Sequence, residues 1–234
     1  MPMLAISQFR HHRLFEGLSE AELICLANNL EKRIFAKHAY IFHPGSPGHS
    51  LYLVESGQVR SFISDATGHE ISLDLIGPGA TFGLVGLLDD GVRSTGAIAQ
   101  QMTVVLRLSG PDLMHCLDAC PLFTRNLLTA MSVRLRNLTD YASALTCLDV
   151  TGRLAAVILR LAGTDDDSDN GGEFELSLTQ TELASWVAAS RGRVNRALHA
   201  LCKRGMLQLT GQKLVILDRR GLKRLVEGST LAEG

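Results

Sequence analysis

The sequence predicts an α+β protein. An N-terminal antiparallel β-roll of the jelly-roll type is followed by a long helix and by a small helical module that ends in a hairpin. Three observations lead to this prediction. Short β-rich segments between glycine and proline turns fill the region from about 33 to 109, as in antiparallel barrels and jelly rolls. A long helical pattern begins at Pro121, a residue that suits a first helical turn. Capping signals and a hairpin pattern follow residue 178.

The composition bounds the class of protein. The 234 residues are 46% hydrophobic and 20% charged, which is typical of a folded globular protein. No apolar run reaches the roughly 20 residues of a membrane span, and the first residues lack the pattern of a signal peptide. The five cysteines are scattered and odd in number, so we expect reduced thiols in a cytoplasmic protein without membrane contact.

The N-terminal half starts with a short helix and continues as strands. Ser19 and Glu22 form a capping box ahead of apolar positions. The apolar positions of this helix are Leu23, Cys25, Leu26 and Leu30. The predicted strands are YIF (40–42), LYLVES (51–56), QVRSFIS (58–64), EISLDLI (70–76) and TVVLRLS (103–109). A helix is predicted over 111–120.

The helix from Pro121 carries apolar residues at alternating spacings of three and four. These positions are Leu128, Met131, Leu135, Leu138, Ala142 and Leu145. This spacing is the a/d seam of a coiled coil, so the sequence favours a parallel homodimer through a long dimerisation helix. Packing of the seam against the chain's own roll is the alternative.

The C-terminal module has its own signals. A helix is predicted over 149–163, Thr179 and Glu182 form a second capping box, and Ser190 is expected to cap a third helix that ends at Gly205. A hairpin follows with Gly211 in its turn. This order predicts a winged helix-turn-helix. We therefore expect a β-roll sensor domain over 1–120, a dimerisation helix over 121–148 and a DNA-binding domain over 149–234.

Charge separates this module from the rest of the chain. Residues 185–224 contain ten Lys and Arg residues against one acid, Asp218, a local charge of +9 on a protein of net charge −1. A basic block of this kind indicates a polyanion site. At 100° per residue, Val194, Ala197, Leu198 and Leu201 lie on one side of the third helix. The opposite side carries Gly192, Arg196, His199 and Lys203, which suits a helix in the major groove.

Three stretches resemble the CRP/FNR family of bacterial transcription regulators, the relatives of the cyclic-AMP receptor protein. They are PGATFGLVGLLDDGVRST, LDVTGRLA and LTQTELASWVAASRGRVNRAL, and the resemblance spans nearly the whole chain. It implies a cyclic-nucleotide-binding-like roll, a homodimer on a roughly palindromic operator in double-stranded DNA, and contact with RNA polymerase. The residues expected to contact DNA are Thr179, Gln180, Thr181, Ser190, Arg191, Gly192, Arg196, His199, Lys203 and Lys213. Well-studied members carry glutamate at the position that corresponds to Gly192, so we expect an operator sequence different from theirs.

The resemblance also implies a ligand pocket. Backbone N–H groups near Gly83, Leu84 and Val85 would face a phosphate, Arg93 would neutralise it, and Ser94 would add a hydroxyl. The family's ribose-binding acid is replaced by Leu84. The adenine-binding threonine is replaced by Leu138, with a hydroxyl only at Thr139. These changes disfavour cyclic AMP and leave open another cyclic nucleotide, a cyclic dinucleotide, an apolar ligand, or an ion pair of Arg93 with Asp89 or Asp90.

Other classes of function have weaker support. No catalytic motif is present, so we do not expect an enzyme, and no metal site is predicted although Cys116 and Cys120 are spaced as neighbours on a helix. A signalling module that acts through protein partners, and an effector-independent regulator with a vestigial pocket, remain alternatives. We expect ligand contacts at the long helix to reorient the DNA-binding domain through the hinge at 148–151.

Overall fold

The structure is a computed structural model that describes residues 12–65, 68–89, 91–162, 179–210 and 213–228. The chain divides into two compact units. The first unit contains Met1–His69 and Leu73–Asn137, and the second contains Glu70–Ser72 and Leu138–Gly234.

The β-roll consists of two four-stranded sheets. Its strands are β1 (Leu30–Phe35), β2 (Tyr40–Phe42), β3 (Ser50–Ser56), β4 (Val59–Ser64), β5 (Glu70–Ile76), β6 (Thr81–Phe82), β7 (Gly96–Ala99) and β8 (Thr103–Ser109). The strand orders are β1-β8-β3-β6 and β2-β7-β4-β5. Pairs such as β1 with β8 and β4 with β7 are antiparallel, so the predicted antiparallel roll is confirmed. β1, β6 and β7 were not predicted.

Two apolar clusters fill the first unit. The interior cluster contains Val54, Val59, Ile76, Phe82, Ala97 and Val105. Since these residues come from both sheets, this cluster lies between them. The helix-side cluster contains Leu14, Phe15, Leu23, Leu26, Leu51, Leu53, Leu84, Leu87, Leu106, Leu108, Leu113, Cys116, Cys120, Phe123 and Leu127. Alternation along β3 sends Leu51 and Leu53 to the helix side and Tyr52 to the interior.

Short helices flank the roll. A 3₁₀ turn, Arg13–Phe15, precedes α1 (Glu20–Asn28), which begins with the predicted capping box of Ser19 and Glu22. Leu30 belongs to β1 and not to this helix. The remaining helices here are α2 (Val85–Leu88) and α3 (Gly110–Ala119).

Cys116 and Cys120 are neighbours at the end of α3: the helix ends at Ala119, Cys120 is its C-cap, and Cys120 N donates to Cys116 O at 2.9 Å. Both cysteines are buried in the helix-side cluster. Burial raises the pKa of the Cys116 thiol to about 11, which disfavours a metal-binding thiolate. Among the described residues no group of three His, Cys, Asp or Glu side chains could hold a metal ion.

The long helix α4 spans Pro121–Cys147. Four leucines of the predicted a/d seam are solvent-exposed in the single chain: Leu128, Leu135, Leu138 and Leu145. No described helix is long and apolar enough to cross a membrane.

The second unit contains the C-terminal module. Its elements are α5 (Val150–Leu161), α6 (Gln180–Val187), α7 (Arg191–Lys203), β9 (Leu207–Thr210), β10 (Lys213–Ile216) and α8 (Arg219–Gly228). β9 and β10 form an antiparallel hairpin, and its predicted turn residue Gly211 lies outside the described residues. Helix–turn–helix followed by a hairpin is the predicted winged arrangement. α8 was not predicted.

Candidate functional site

Helix α7 has one buried and one exposed face. Val194, Ala197, Leu198 and Leu201 are each at most 5% exposed, so the predicted buried face is confirmed. Gly192, Arg196, His199 and Lys203 are exposed. The outer face of α7 is therefore free to enter a groove as wide as an α-helix.

A hydrogen-bonded triad joins α6 to the start of α7. Arg191 Nε donates to Gln180 Oε1 at 3.3 Å, and Gln180 Nε2 donates to Asn195 Oδ1 at 3.3 Å. Gln180 thereby orients an exposed guanidinium at the first turn of α7. Asn195 was missed by the sequence analysis, as was Arg193, which is exposed in the same turn. The hydrogen bond between Gln180 and Asn195 becomes evident only when the two helices are packed.

The N-terminal ends of α6 and α7 are capped differently. Thr179 and Glu182 form the predicted capping box at α6, with Glu182 N donating to Thr179 Oγ1 at 3.2 Å. Ser190 is the N-cap residue of α7, but its side chain makes no capping hydrogen bond. The predicted N-cap position of Ser190 is therefore confirmed, and its exposed hydroxyl, which makes no capping hydrogen bond, is available to a ligand. Thr181 and Lys213 are exposed as well.

The cations of α7 are not neutralised within the described part of the chain. They are Arg191, Arg193, Arg196 and Lys203, and none of them forms a salt bridge with a described carboxylate. A face with uncompensated positive charge attracts a polyanion over distances of about a Debye length, roughly 8–10 Å at physiological salt.

In the β-roll, Arg93 is held by its backbone. Arg93 N donates to Ser46 O at 2.7 Å, and Gly45 N donates to Arg93 O at 2.8 Å. Backbone also packs directly on backbone nearby. A Cβ atom on Gly48 would lie 2.3 Å from Gly86 O, and one on Gly86 would lie 2.7 Å from Val92 O. These contacts form a closely packed backbone frame around the arginine.

The Arg93 side chain points into the protein and is only 4% exposed. Its guanidinium donates to Gly83 O and, at 2.8 Å, to Ser50 O. The guanidinium carbon lies 4.3 Å from the ring centroid of Phe42 and 5.6 Å from that of Tyr52. Burial lowers the pKa of this guanidinium from its usual value. Its Nε has no hydrogen-bond partner in the described part of the chain.

Among the described residues, Arg93 does not form the alternative ion pair with Asp89. Its hydrogen bonds go to two carbonyl groups, and no salt bridge joins it to a described carboxylate. Asp89 instead accepts from Gly91 N at 3.1 Å, and Asp90 lies outside the described residues. A buried, charged donor without an acidic partner among the described residues is chemically suited to bind an anion.

The other predicted ligand residues surround this arginine to different extents. Gly83 adopts φ +84°, and a Cβ atom there would lie 2.7 Å from Arg93 Nη1. Leu84 is 7% exposed with its side chain in the helix-side cluster, so only its backbone could contribute to a polar site. Val85 and Ser94 are exposed. The first N–H groups of α2, near Gly83 and Val85, have no intrahelical acceptor.

Comparison with known proteins identifies the chain. The cyclic nucleotide-binding domain model matches residues 32–120, and the Crp-like helix-turn-helix domain model matches residues 152–225. The chain is 34% identical over 196 residues to the cyclic AMP receptor protein of Thermus thermophilus, covering 84% of this chain and 88% of that protein. The chain belongs to the CRP/FNR family of transcription regulators.

Further relatives of this CRP/FNR regulator support the same family assignment. The CRP-like cAMP-activated global transcriptional regulator of Mycobacterium tuberculosis is 31% identical over 216 residues, 90% of this chain and 95% of that one. The Thermus thermophilus catabolite activator protein structure has a TM-score of 0.53 at 31% identity, with 93% and 99% of the two chains covered. The regulator CLP of Xanthomonas campestris has a TM-score of 0.73 at 24% identity, covering 85% and 99%, which shows the shared fold. These relatives are regulators and not enzymes.

In this CRP/FNR regulator the remaining predicted pocket residues, Leu138 and Thr139, lie on α4 in the second unit, and both are exposed, Leu138 by 39%. The sequence analysis missed Phe42 and Tyr52 as partners of Arg93. They are 51 and 41 positions from it in sequence, so only the pairing of strands could have revealed them.

Proposed function

We propose that this CRP/FNR regulator acts in the cytoplasm as a homodimer. It reads a roughly palindromic DNA operator through α7, and a phosphorylated effector bound near Arg93 controls its DNA affinity. Contact with RNA polymerase follows from the family. The observation that carries the effector site is Arg93, which is 4% exposed and whose Nε has no hydrogen-bond partner among the described residues. The uncompensated cations of α7 support the DNA site.

The outer face of α7 is suited to base contacts. Arg196 is exposed near the middle of the helix, and arginine forms bidentate hydrogen bonds with O6 and N7 of guanine. Arg191 is held by Gln180 at the N-terminal end, where recognition helices contact bases and backbone. Thr179, Thr181 and Lys213 are suited to phosphate contacts that set register.

Gly192 gives a direct way to alter the readout. Apart from the neighbouring backbone of α7, no atom of the described residues lies within 4 Å of an added Cβ there, so there is space for a side chain. Gly192→Glu adds an acceptor for the N4 amine of cytosine. We expect this variant to change the operators recovered by selection from random DNA, whereas Arg196→Ala weakens binding to every operator that carries the cognate guanine.

The DNA site is tested by the affinity for a selected operator at several salt concentrations. Arg196→Ala should lower the affinity by about 1–3 kcal/mol, the value of one good base contact. Lys37→Ala removes the same charge from an exposed position of the roll and should leave the affinity unchanged. Equal effects of the two substitutions, or the absence of any specific DNA site, would favour a module that acts through protein partners.

A dimer through α4 follows from its exposed a/d leucines. Such a twofold assembly places two copies of α7 on half-sites about one DNA turn apart. It also provides a route for control, because ligand contacts that shift the pairing of α4 would change the population of binding-competent dimers.

The effector site is suited to a phosphate group. Arg93 offers charge and an Nε donor that has no partner in the described residues, and the backbone N–H groups at the start of α2 add further donors. Two curated relatives are named for cyclic AMP. This chain has Leu84 and Leu138 at the positions expected to hold ribose and adenine, so the proposal extends to other cyclic nucleotides and to cyclic dinucleotides.

Calorimetric titration of the purified protein with cyclic AMP, cyclic GMP and cyclic di-GMP tests this site. Micromolar binding that is lost in Arg93→Ala and weakened in Arg93→Lys would support it, since lysine keeps the charge but not the planar array of donors. Ser94→Ala should weaken binding less. No heat with any of the three ligands would favour an effector-independent regulator with a vestigial pocket.

A further inference from the structure

Ser61 presents a second orphaned polar atom inside the roll. It lies on β4, is 2% exposed, and its Oγ has no hydrogen-bond partner in the described part of the chain. Most buried hydroxyls in proteins are hydrogen-bonded, because the loss of hydration is otherwise uncompensated. An unpaired buried hydroxyl therefore needs an explanation.

The strand register places this hydroxyl on the inner face of its sheet. Val59, two residues earlier on β4, belongs to the interior cluster, and alternation puts Ser61 on the same face. Arg60 and Phe62 point to the other face, where the guanidinium carbon of Arg60 lies 5.0 Å from the ring centroid of Phe62. The Ser61 side chain is thus directed between the two sheets.

Ser61 also lies in one row with the aromatic partner of Arg93. Ala97 on β7 is paired with Ser61 on one side and with Phe42 on the other. Residues directly opposite each other on neighbouring strands project from the same face. The row Phe42–Ala97–Ser61 therefore crosses three strands, and Arg93 lies against its Phe42 end at 4.3 Å from the ring centroid.

The length of this row matches a nucleotide. Neighbouring strands are about 4.8 Å apart, so Ser61 lies roughly 10 Å from Phe42. This is comparable to the reach of a nucleoside phosphate from its phosphorus to the far edge of its base. The side chains between the two ends are small: Ala97 is in the row, and Ala99 lies on the same face two residues along β7.

We propose that Ser61 is the second polar anchor of the effector pocket, and that its hydroxyl hydrogen-bonds the base edge of a nucleotide whose phosphate lies at Arg93. This inference rests on the proposed effector function. It assigns recognition of the base to the strand floor of the roll, which consists of Ser61 on β4 and Ala97 on β7. The side chain of Leu138 on α4 can offer no hydrogen bond. Ser61 is then a residue that determines specificity, since its hydroxyl can both donate and accept.

The test compares Ser61→Ala, which deletes the hydroxyl, with Ser61→Thr, which keeps it. Two quantities are measured: the melting temperature without ligand, and the calorimetric affinities for cyclic AMP, cyclic GMP and cyclic di-GMP. We expect Ser61→Ala to leave the ligand-free melting temperature unchanged or raised, because it removes an unpaired polar atom. Its affinity for the best ligand should fall about tenfold, the value of one hydrogen bond, and the preference between cyclic AMP and cyclic GMP should narrow. Ser61→Thr should retain more of the affinity and more of the preference between the two nucleotides than Ser61→Ala.

Each other result overturns a defined part of the argument. A clear drop in the melting temperature of Ser61→Ala without ligand would show that the hydroxyl already has a structural partner, which refutes the anchor. Arg93-dependent binding that is unaffected by Ser61→Ala would refute the anchor and leave the effector function intact. Failure of the wild-type protein to bind any of the three nucleotides would overturn both proposals.

Discussion

Replacing Leu135 by alanine should break the dimer more than any comparable change on the opposite side of α4. Leu135 occupies an a position of the seam and is 67% exposed in the single chain, so a partner helix has most of its surface to cover. Val133 is also on α4, two residues away at the outward f position, and is 44% exposed. Val133→Ala is therefore the matched control.

The size of the effect follows from the buried surface. Leucine-to-alanine removes three carbons, each contributing about 0.8 kcal/mol when fully buried. With two-thirds of the side chain exposed and two copies per dimer, the free energy of dimer dissociation should fall by about 3 kcal/mol, or roughly 200-fold in the dissociation constant. Val133→Ala should change it by at most about 0.5 kcal/mol, as surface substitutions do.

Sedimentation equilibrium over a range of protein concentrations measures both constants directly. Thermal unfolding of each variant at high concentration checks that the folded protomer persists. If Leu135→Ala dissociates no more readily than Val133→Ala, then the a/d seam does not form the interface and the packing of α4 must be explained by another surface.

Three further predictions concern stability. Gly83→Ala should destabilise the protein by more than about 1 kcal/mol in urea unfolding, because φ is +84° and the new Cβ would lie 2.7 Å from Arg93 Nη1. Gly45→Ala, at φ +77° with open space, should show the backbone strain alone and hence a smaller loss. Gly192→Ala should stabilise α7 by about 0.5 kcal/mol, and a fall in melting temperature would contradict this. The pKa of Cys116 is raised by burial from 9.0 to about 11, so the unfolded thiol ionises first and stability should fall as pH rises from 9.0 towards 11. That fall should be shallower in Cys116→Ala, and an unchanged slope would show that other groups cause it.

Elements with local signals were predictable from the sequence. Both capping boxes are written in four residues each, and both form as expected at Ser19 and Thr179. The faces of α7 followed from its periodicity alone. α8 also has local signals that were missed: Asp218 accepts from Gly221 N at 2.7 Å at its start. Leu222, Leu225 and Val226 then follow at helical spacing.

The interior of the roll was not predictable in the same way. That Arg93 would donate to Gly83 and Ser50, 10 and 43 residues away, depends on how strands from distant parts of the chain pair. The row that joins Phe42 to Ser61 depends on a bulge in β2, where the register shifts between Tyr40 and Phe42. Strand register is a non-local property, and it decides which side chains face the pocket.

The backbone frame around Arg93 has a consequence for how such a regulator can diversify. Gly48 contacts Gly86, and Gly86 contacts Val92, so closely that even one added methyl group collides with main-chain atoms. Even the smallest substitution of these two glycines is therefore not tolerated. The strand floor is different, because Ala97 and Ser61 present side chains rather than main-chain atoms to the interior of the roll. A regulator that evolves to bind a new ligand would therefore keep the backbone frame around Arg93. Its ligand specificity would change through single substitutions at the strand-floor residues.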